Sequence, residues 1–148
     1  VPFEFAMHSD GNRGGSMTCQ SRNQENCPPR EETYMQMDGK EIFKFASMKV
    51  PAVLHELLEK VSLKPEEIDA YLLHQANGRI IEAIARRMGL DISRFPMNVA
   101  EYANTSSGTV PILLDELNRK GKLLKGQKLI MCGFGAGLSW GAAYLEWQ

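Results

Sequence analysis

The chain has 148 residues, 43% hydrophobic and 24% charged. That is the size and make-up of one globular domain, and it excludes a disordered tail, a collagen-like rod and a heptad fibre. Seventeen basic residues against 18 acidic ones leave a net charge of −1, so no global field favours nucleic acid or a membrane surface, and no apolar run approaches the roughly 20 residues of a membrane-spanning helix.

Cys19, Cys27 and Cys132 form an odd, small set. A disulfide framework is not expected, and a reduced, cytoplasmic chain is the default. The chain opens Val1-Pro2-Phe3 with no charged-then-apolar leader, so it reads as non-secreted and as a fragment or a processed product.

Residues 3–8 alternate as a short strand, and residues 9–33, rich in Gly, Asn, Ser, Gln and Arg, read as a long polar loop. From 40 to 61 the period turns helical, with Phe43, Ala46, Val50, Val53, Leu54, Leu57, Leu58 and Val61 as the apolar stripe. Pro51 in its middle predicts a kink or two abutting helices. Residues 70–73 form a brief apolar strand. Asn77 caps a helix over 78–88 that Gly89 stops. Residues 95–99 read as a strand weakened by Pro96. Residues 104–107 cap a third helix to about 119, stopped by Gly121. Strands over 128–134 and 139–147 close the chain through the turn Gly135-Ala136-Gly137. The alternation predicts a layered α/β domain with a mixed sheet and packed helices.

Three segments stand where strands hand over to helices or turns: His74-Gln75-Ala76-Asn77, Asn104-Thr105-Ser106-Ser107 and Gly133-Phe134-Gly135-Ala136-Gly137. Ligands of open α/β sheets collect there. A neutral imidazole, a carboxamide and a close-approaching backbone amide suit chemistry that builds negative charge on a carbonyl oxygen, and the helix start after His74 is expected to depress its imidazolium. Each piece alone has a plain structural reading: a hydrogen-bonded His, an N-cap Asn, a hairpin turn. The Gly-rich turn matches no dinucleotide fingerprint and no phosphate loop is present. Cys19 and Cys27 with His8 have no zinc-module spacing, and Cys132 in an apolar strand reads as inert core. Lys44, Arg79, Arg86 and Arg87 read either as a solvated helix face or as a patch for an acidic partner.

Taken together, Met37-x-Gly39-x-x-Ile42-Phe43-Lys44-x-Ala46, His74-Gln75-Ala76-Asn77-x-Arg79-Ile80, Asn104-Thr105-Ser106 and Gly135-Ala136-Gly137-x-Ser139-Trp140-Gly141 resemble the C-terminal half of β-ketoacyl-acyl carrier protein synthase III, with His8-x-Asp10-Gly11 like that half's first strand and loop. The likeness covers nearly the whole chain. It implies one of the two duplicated halves of a thiolase-like αβαβα fold, with residues 1–148 as the C-terminal domain. It implies a decarboxylating condensation of acyl-CoA with malonyl-acyl carrier protein in fatty acid biosynthesis, with no cofactor beyond these thioester substrates. His74 and Asn104 would donate to the malonyl thioester oxygen. The amide of Ala136 would form half of the acyl-enzyme's oxyanion hole, and Phe134 would pack near the leaving carboxylate. Lys44, Arg79, Arg86 and Arg87 would meet the phosphopantetheine arm or the acyl carrier protein.

Two positions depart from the family pattern: Ala136 and Ala103 stand where Gly is frequent. Ala136 keeps its amide hydrogen but must avoid positive φ, and both changes read as a tightening of the site. The family's nucleophilic Cys belongs to the N-terminal half, and nothing in residues 1–148 resembles its strand–turn–helix. The chain alone is therefore expected not to condense anything. A lone half also exposes an apolar face, so the chain is expected to self-associate or to be made as a separate domain, and the resemblance implies a homodimer. The alternative is a Cys-lacking subunit or scaffold of a thiolase-fold heteromer. An ester-forming or methylglutaryl-type synthase is a third reading, disfavoured by the pairing of His with Asn.

Overall fold

Residues 3–19 and 34–148 are described by a computed structural model. In chain order its elements are β1 (Glu4–Ser9), β2 (Met17–Thr18), β3 (Gln36–Met37), α1 (Gly39–Lys60), β4 (Ala70–Leu73), α2 (Gly78–Met88), α3 (Val99–Tyr102), α4 (Thr109–Arg119), β5 (Lys128–Gly135) and β6 (Ser139–Glu146). Single 3-10 turns lie at Gly11–Ser16, Pro65–Glu67, Ile92–Arg94 and Ser106–Gly108. Four strands form one mixed sheet in the order β1-β6-β5-β4, in which β4 and β5 run parallel and the other pairs antiparallel. The expected α/β class holds.

Alternation decides which helix covers which face. Ala6, Tyr71, Leu73, Ile130, Cys132, Phe134, Ala142 and Tyr144 point to one side and pack with the buried stripes of α1 and α2. Leu72 and Leu129 point to the other side, where α4 supplies Leu113 and Leu117. Helix α4 covers only the β4–β5 end of that second face. On the β1 end, Phe3, Phe5 and Met7 remain 59, 53 and 73% exposed and form an apolar surface.

Helix α1 is one element of 22 residues with Pro51 inside it, not the two abutting helices that its proline suggested. Proline lacks the amide hydrogen that would reach back four residues to the Ser47 carbonyl. That carbonyl instead accepts from the Arg87 guanidinium on α2, at 3.4 Å, so the group left over by proline is met by the neighbouring helix. The buried stripe is Ile42, Phe45, Ala46, Val50, Val53, Leu54, Leu57 and Leu58. Phe43, placed in that stripe by its spacing, is 41% exposed and faces a hollow described below. Helix α2 follows the expected bounds: the Asn77 side chain accepts from Arg79 N–H, and Gly89 ends the helix at φ 69°.

Three further segments differ from the sequence-based expectation. Residues 95–99 are not a strand. Pro96 lacks a donor for a ladder, and the segment instead buries Phe95, stacked on Tyr71 at 4.8 Å, before α3 begins. The third helix starts at Thr109, because Ser106–Gly108 first makes a 3-10 turn. The loop after β1 carries order of its own: Asp10 caps a 3-10 turn through Asn12 N–H, and Met17–Thr18 pairs with Gln36–Met37. Residues 20–33, with Cys27, lie outside the described residues.

Arg87→Ala should lower stability by about 0.5 kcal/mol, since the contact is long and exposed. In a Pro51→Ala background, where the backbone itself can serve the Ser47 carbonyl, the loss should be smaller. A double-mutant cycle by denaturant unfolding measures this coupling; additive losses would show that the guanidinium is not substituting for the missing amide.

Candidate functional site at the carboxyl end of the sheet

The parallel pair β4–β5 aligns Leu73 with Cys132, and the ladder continues one step as His74 N–H donates to the Cys132 carbonyl at 2.8 Å. The imidazole therefore emerges at the strand end, edge-on to the Phe134 ring at 5.3 Å and 75°. Cys132 itself is buried, and burial pushes its thiol up to about 12, far from a nucleophile's range.

The next residue acts as a clamp. Gln75 is fully buried. Its amide NH2 donates to the Leu73 carbonyl at 2.8 Å, and its carbonyl oxygen accepts from Asn98 N–H at 3.1 Å. Asn98 donates in turn to the Glu116 carboxylate at 2.7 Å. Lys120 beside Glu116, and then Asn98, hold that carboxyl below the usual carboxylate range. One polar chain thus ties the end of β4, the segment leading to Asn104, and helix α4. Buried polar groups satisfied in this way fix a geometry that apolar packing alone leaves loose.

The His74 ring meets α4 through Nδ1, 2.5 Å from the Thr109 hydroxyl, which lies 3.0 Å from the Ser106 carbonyl. Burial lowers the His74 pKa from its ordinary 6.5, so the imidazole is neutral at pH 7. Asn104 is anchored by its carbonyl oxygen, which accepts from Ser106 N–H at 2.9 Å. That leaves its NH2, the donor end, for another partner.

The third segment is held from β1. Asp10 N–H donates to the Leu138 carbonyl at 2.7 Å and Leu138 N–H to the Asp10 carbonyl at 3.0 Å. This two-way bond closes the β5–β6 turn. Gly137 sits there at φ 136°, and a Cβ would come 2.3 Å from the Ser139 hydroxyl, so only glycine fits. Ala136 stays out of the positive-φ region, as an alanine there must. Ala103 does not: its φ is 57° and ψ −166°, a region close to glycine-only. This alanine is strained, not a simple tightening of the site.

His74, Asn104, Phe134 and Ala136 line one hollow of about 1340 Å³, together with Thr109, Phe43 and the apolar β1 surface. The three segments do converge. Lys44, Arg79, Arg86 and Arg87 do not line it; they are exposed on the outer helices, and Arg87 serves the Ser47 carbonyl. Among the described residues no His, Cys, Asp and Glu cluster could hold a metal ion. The chemistry open to the hollow is hydrogen bonding from a neutral imidazole, a carboxamide and a backbone amide, in a largely apolar cleft.

Residues 58–147 match the family described as 3-Oxoacyl-[acyl-carrier-protein (ACP)] synthase III C terminal. The chain belongs to this family. It is 43% identical over 152 residues to a beta-ketoacyl-[acyl-carrier-protein] synthase III of Synechococcus sp., with 97% of this chain and 45% of that protein covered. Its fold matches the crystal structures of 3-oxoacyl-(acyl carrier protein) synthase III from Pseudomonas aeruginosa (TM-score 0.87, 31% identity, 97% of this chain and 43% of that one) and the synthase III from Thermus thermophilus (TM-score 0.86, 35% identity, 97% and 45%). The thiolase-like fold is thereby shown, and the chain spans about half the length of the relatives it matches.

The residue spacing singles out His74 and Asn104 but not the groups that position them. Gln75 stood in a quoted motif without a role, and Asn98 and Thr109 carried no spacing signal. A polar residue at an apolar strand's end was the one available hint, because a buried Gln must find partners for both ends of its amide.

Two outcomes are expected here. Ala103→Gly should raise stability by about 1 kcal/mol by relieving positive φ, read from the denaturation midpoint; a loss would show that the strain is absent. His74 has a depressed pKa in the fold, so its contribution is complete above the ordinary pKa of 6.5 and is lost as pH falls through that value towards the folded one. Chemical denaturation across pH 5–8 should therefore show a shallower acid decline for His74→Gln than for the parent (a range set by ordinary His titration). Equal slopes would contradict the burial described.

Proposed function

We propose that this chain is the C-terminal half of a cytoplasmic 3-oxoacyl-[acyl-carrier-protein] synthase III, and that it houses the decarboxylation half of the condensation of acyl-CoA with malonyl-acyl carrier protein in fatty acid biosynthesis. The observation that carries this reading is the convergence, in one apolar hollow, of a neutral His74 and an Asn104 whose carbonyl end is already occupied.

The chemistry follows from those groups. The malonyl thioester loses carbon dioxide when the electrons of the breaking C–C bond pass to the thioester oxygen. His74 Nε2–H and the Asn104 NH2 donate to that oxygen as its charge grows, and a neutral donor stabilises the enolate without protonating it. Phe134 lends an apolar wall that disfavours the departing carboxylate's charge. The enolate carbon then attacks an acyl thioester carried by a Cys, and the thiolate leaves. The Ala136 N–H stabilises the oxyanion of that second step.

The nucleophilic Cys comes from another half. Cys132 is buried with its thiol pushed up to about 12, and Cys19 is exposed in the loop that follows the two-residue β2. The uncovered surface of Phe3, Phe5 and Met7 borders the hollow, and the chain covers 45% of a relative's length. We assign that face to the Cys-bearing N-terminal half. Lys44, Arg79 and Arg86 are the cations available to the acidic carrier protein or the phosphopantetheine arm, in an enzyme that acts as a homodimer.

In the assembled enzyme, His74→Ala and Asn104→Ala should each cut malonyl-thioester decarboxylation, read as carbon dioxide release, by about 100–1000-fold. Acylation of the Cys by acyl-CoA, read by mass spectrometry, should persist. Undiminished decarboxylation in both variants would refute the roles given to these residues.

A further inference from the structure

We propose that the Thr109 hydroxyl donates its proton to Nδ1 of His74 and so holds the imidazole as the Nε2–H tautomer, which makes Thr109 a positioning residue for the site. The inference rests on the reading of His74 as a donor, and goes beyond it by naming the group that makes the imidazole one.

A neutral imidazole has one N–H, and which nitrogen carries it depends on the partner of the other. Here Nδ1 lies 2.5 Å from the Thr109 Oγ1 and has no other hydrogen-bond partner among the described residues. Thr109 is 2% exposed, so water does not compete for its hydroxyl. That hydroxyl has a single proton and two acceptors in reach: Nδ1, and the Ser106 carbonyl at 3.0 Å. The Ser106 carbonyl already accepts the backbone N–H of Thr109. The ring nitrogen has no substitute donor.

The alternative proton placement has a definite consequence. If the hydroxyl instead donated to the Ser106 carbonyl, Nδ1 would carry the imidazole's hydrogen and donate to Thr109. Nε2 would then face the hollow as a bare lone pair. A lone pair opposite an oxygen that is gaining negative charge repels it, whereas an N–H attracts it. Only the first placement makes the imidazole and the Asn104 NH2 two donors of the same sense. The geometry holding this contact is stiff: Thr109 is β-branched, opens α4, and lies against Gly108 and the Ser106 turn.

The test reads the proton's position directly. Imidazole-nitrogen NMR of the full chain, isotope-labelled in histidine, separates the two tautomers, and His74→Gln assigns the signal among the three histidines. His74 is expected as Nε2–H in the parent chain and in Thr109→Ser, which keeps the hydroxyl. Thr109→Val should lose that preference and, in the assembled enzyme, lower decarboxylation by about tenfold, the low end of what loss of an outer partner costs metal-bound imidazoles. An Nδ1–H tautomer in the parent chain overturns the proposal, as does an unchanged Nε2–H signal in Thr109→Val. The parent measurement needs no variant to fold. Loss of decarboxylation in His74→Ala beside an Nε2–H signal that Thr109→Val leaves unchanged would refute this proposal while leaving the role of His74 as a donor standing.

Discussion

The parallel pairing of β4 with β5 is the constraint from which the rest of the site follows. β4 has only four residues, and three of them, Tyr71, Leu72 and Leu73, are fully buried. A strand so short is held by what lies on both its faces: Tyr71 and Leu73 sit in the α1–α2 core and Leu72 under α4. A slip by one residue would send these side chains to the wrong layers. The register that avoids this also sets His74 against the Cys132 carbonyl and beside Phe134. The imidazole's position is a by-product of core packing, which explains why a catalytic-type group can sit at the end of so brief a strand.

Packing alone does not orient side chains at that end. The Gln75–Asn98–Glu116 chain and the Thr109 contact do so from α4, and the two-way Asp10–Leu138 bond does so from β1. Three elements distant in sequence thus converge on one hollow, each through a polar group with its partners satisfied. Backbone strain sits beside the site: Ala103, immediately before Asn104, and Ser106, two residues after it, are both at positive φ. Strain borne next to a functional side chain persists only where its surroundings over-determine the backbone, and here Ala103 N–H is bonded to the Val99 carbonyl and Asn104 to Ser106 N–H.

Much of this was legible in the residues, and the failures have definite causes. The bounds of α2 could be read because Asn77 and Gly89 act locally, through a cap and a left-handed stop. The β5–β6 hairpin was readable from alternation and its glycines. Residues 95–99 were misread because Phe95 and Val99 have strand character, while their fate was set by Tyr71 across the core. Pro51 does not divide α1 in two, and the carbonyl it strands is served by Arg87. Phe43 fell on the wrong side because the helix stripe runs through Ile42 and Phe45 instead. Thr109 was invisible because a threonine near a helix start reads as a cap whatever it touches.

On the proposed function the hollow is half of an active site: donors for a growing negative charge on one side, and on the other an apolar surface awaiting the half that brings a nucleophile. On that reading His74 and Asn104 address one oxygen atom. The most direct measurement is a crystal structure of the assembled enzyme with a non-hydrolysable malonyl thioester analogue. A single thioester oxygen is expected about 3 Å from both His74 Nε2 and Asn104 Nδ2. An analogue whose oxygen meets neither atom, or meets them at two separate places, would contradict it.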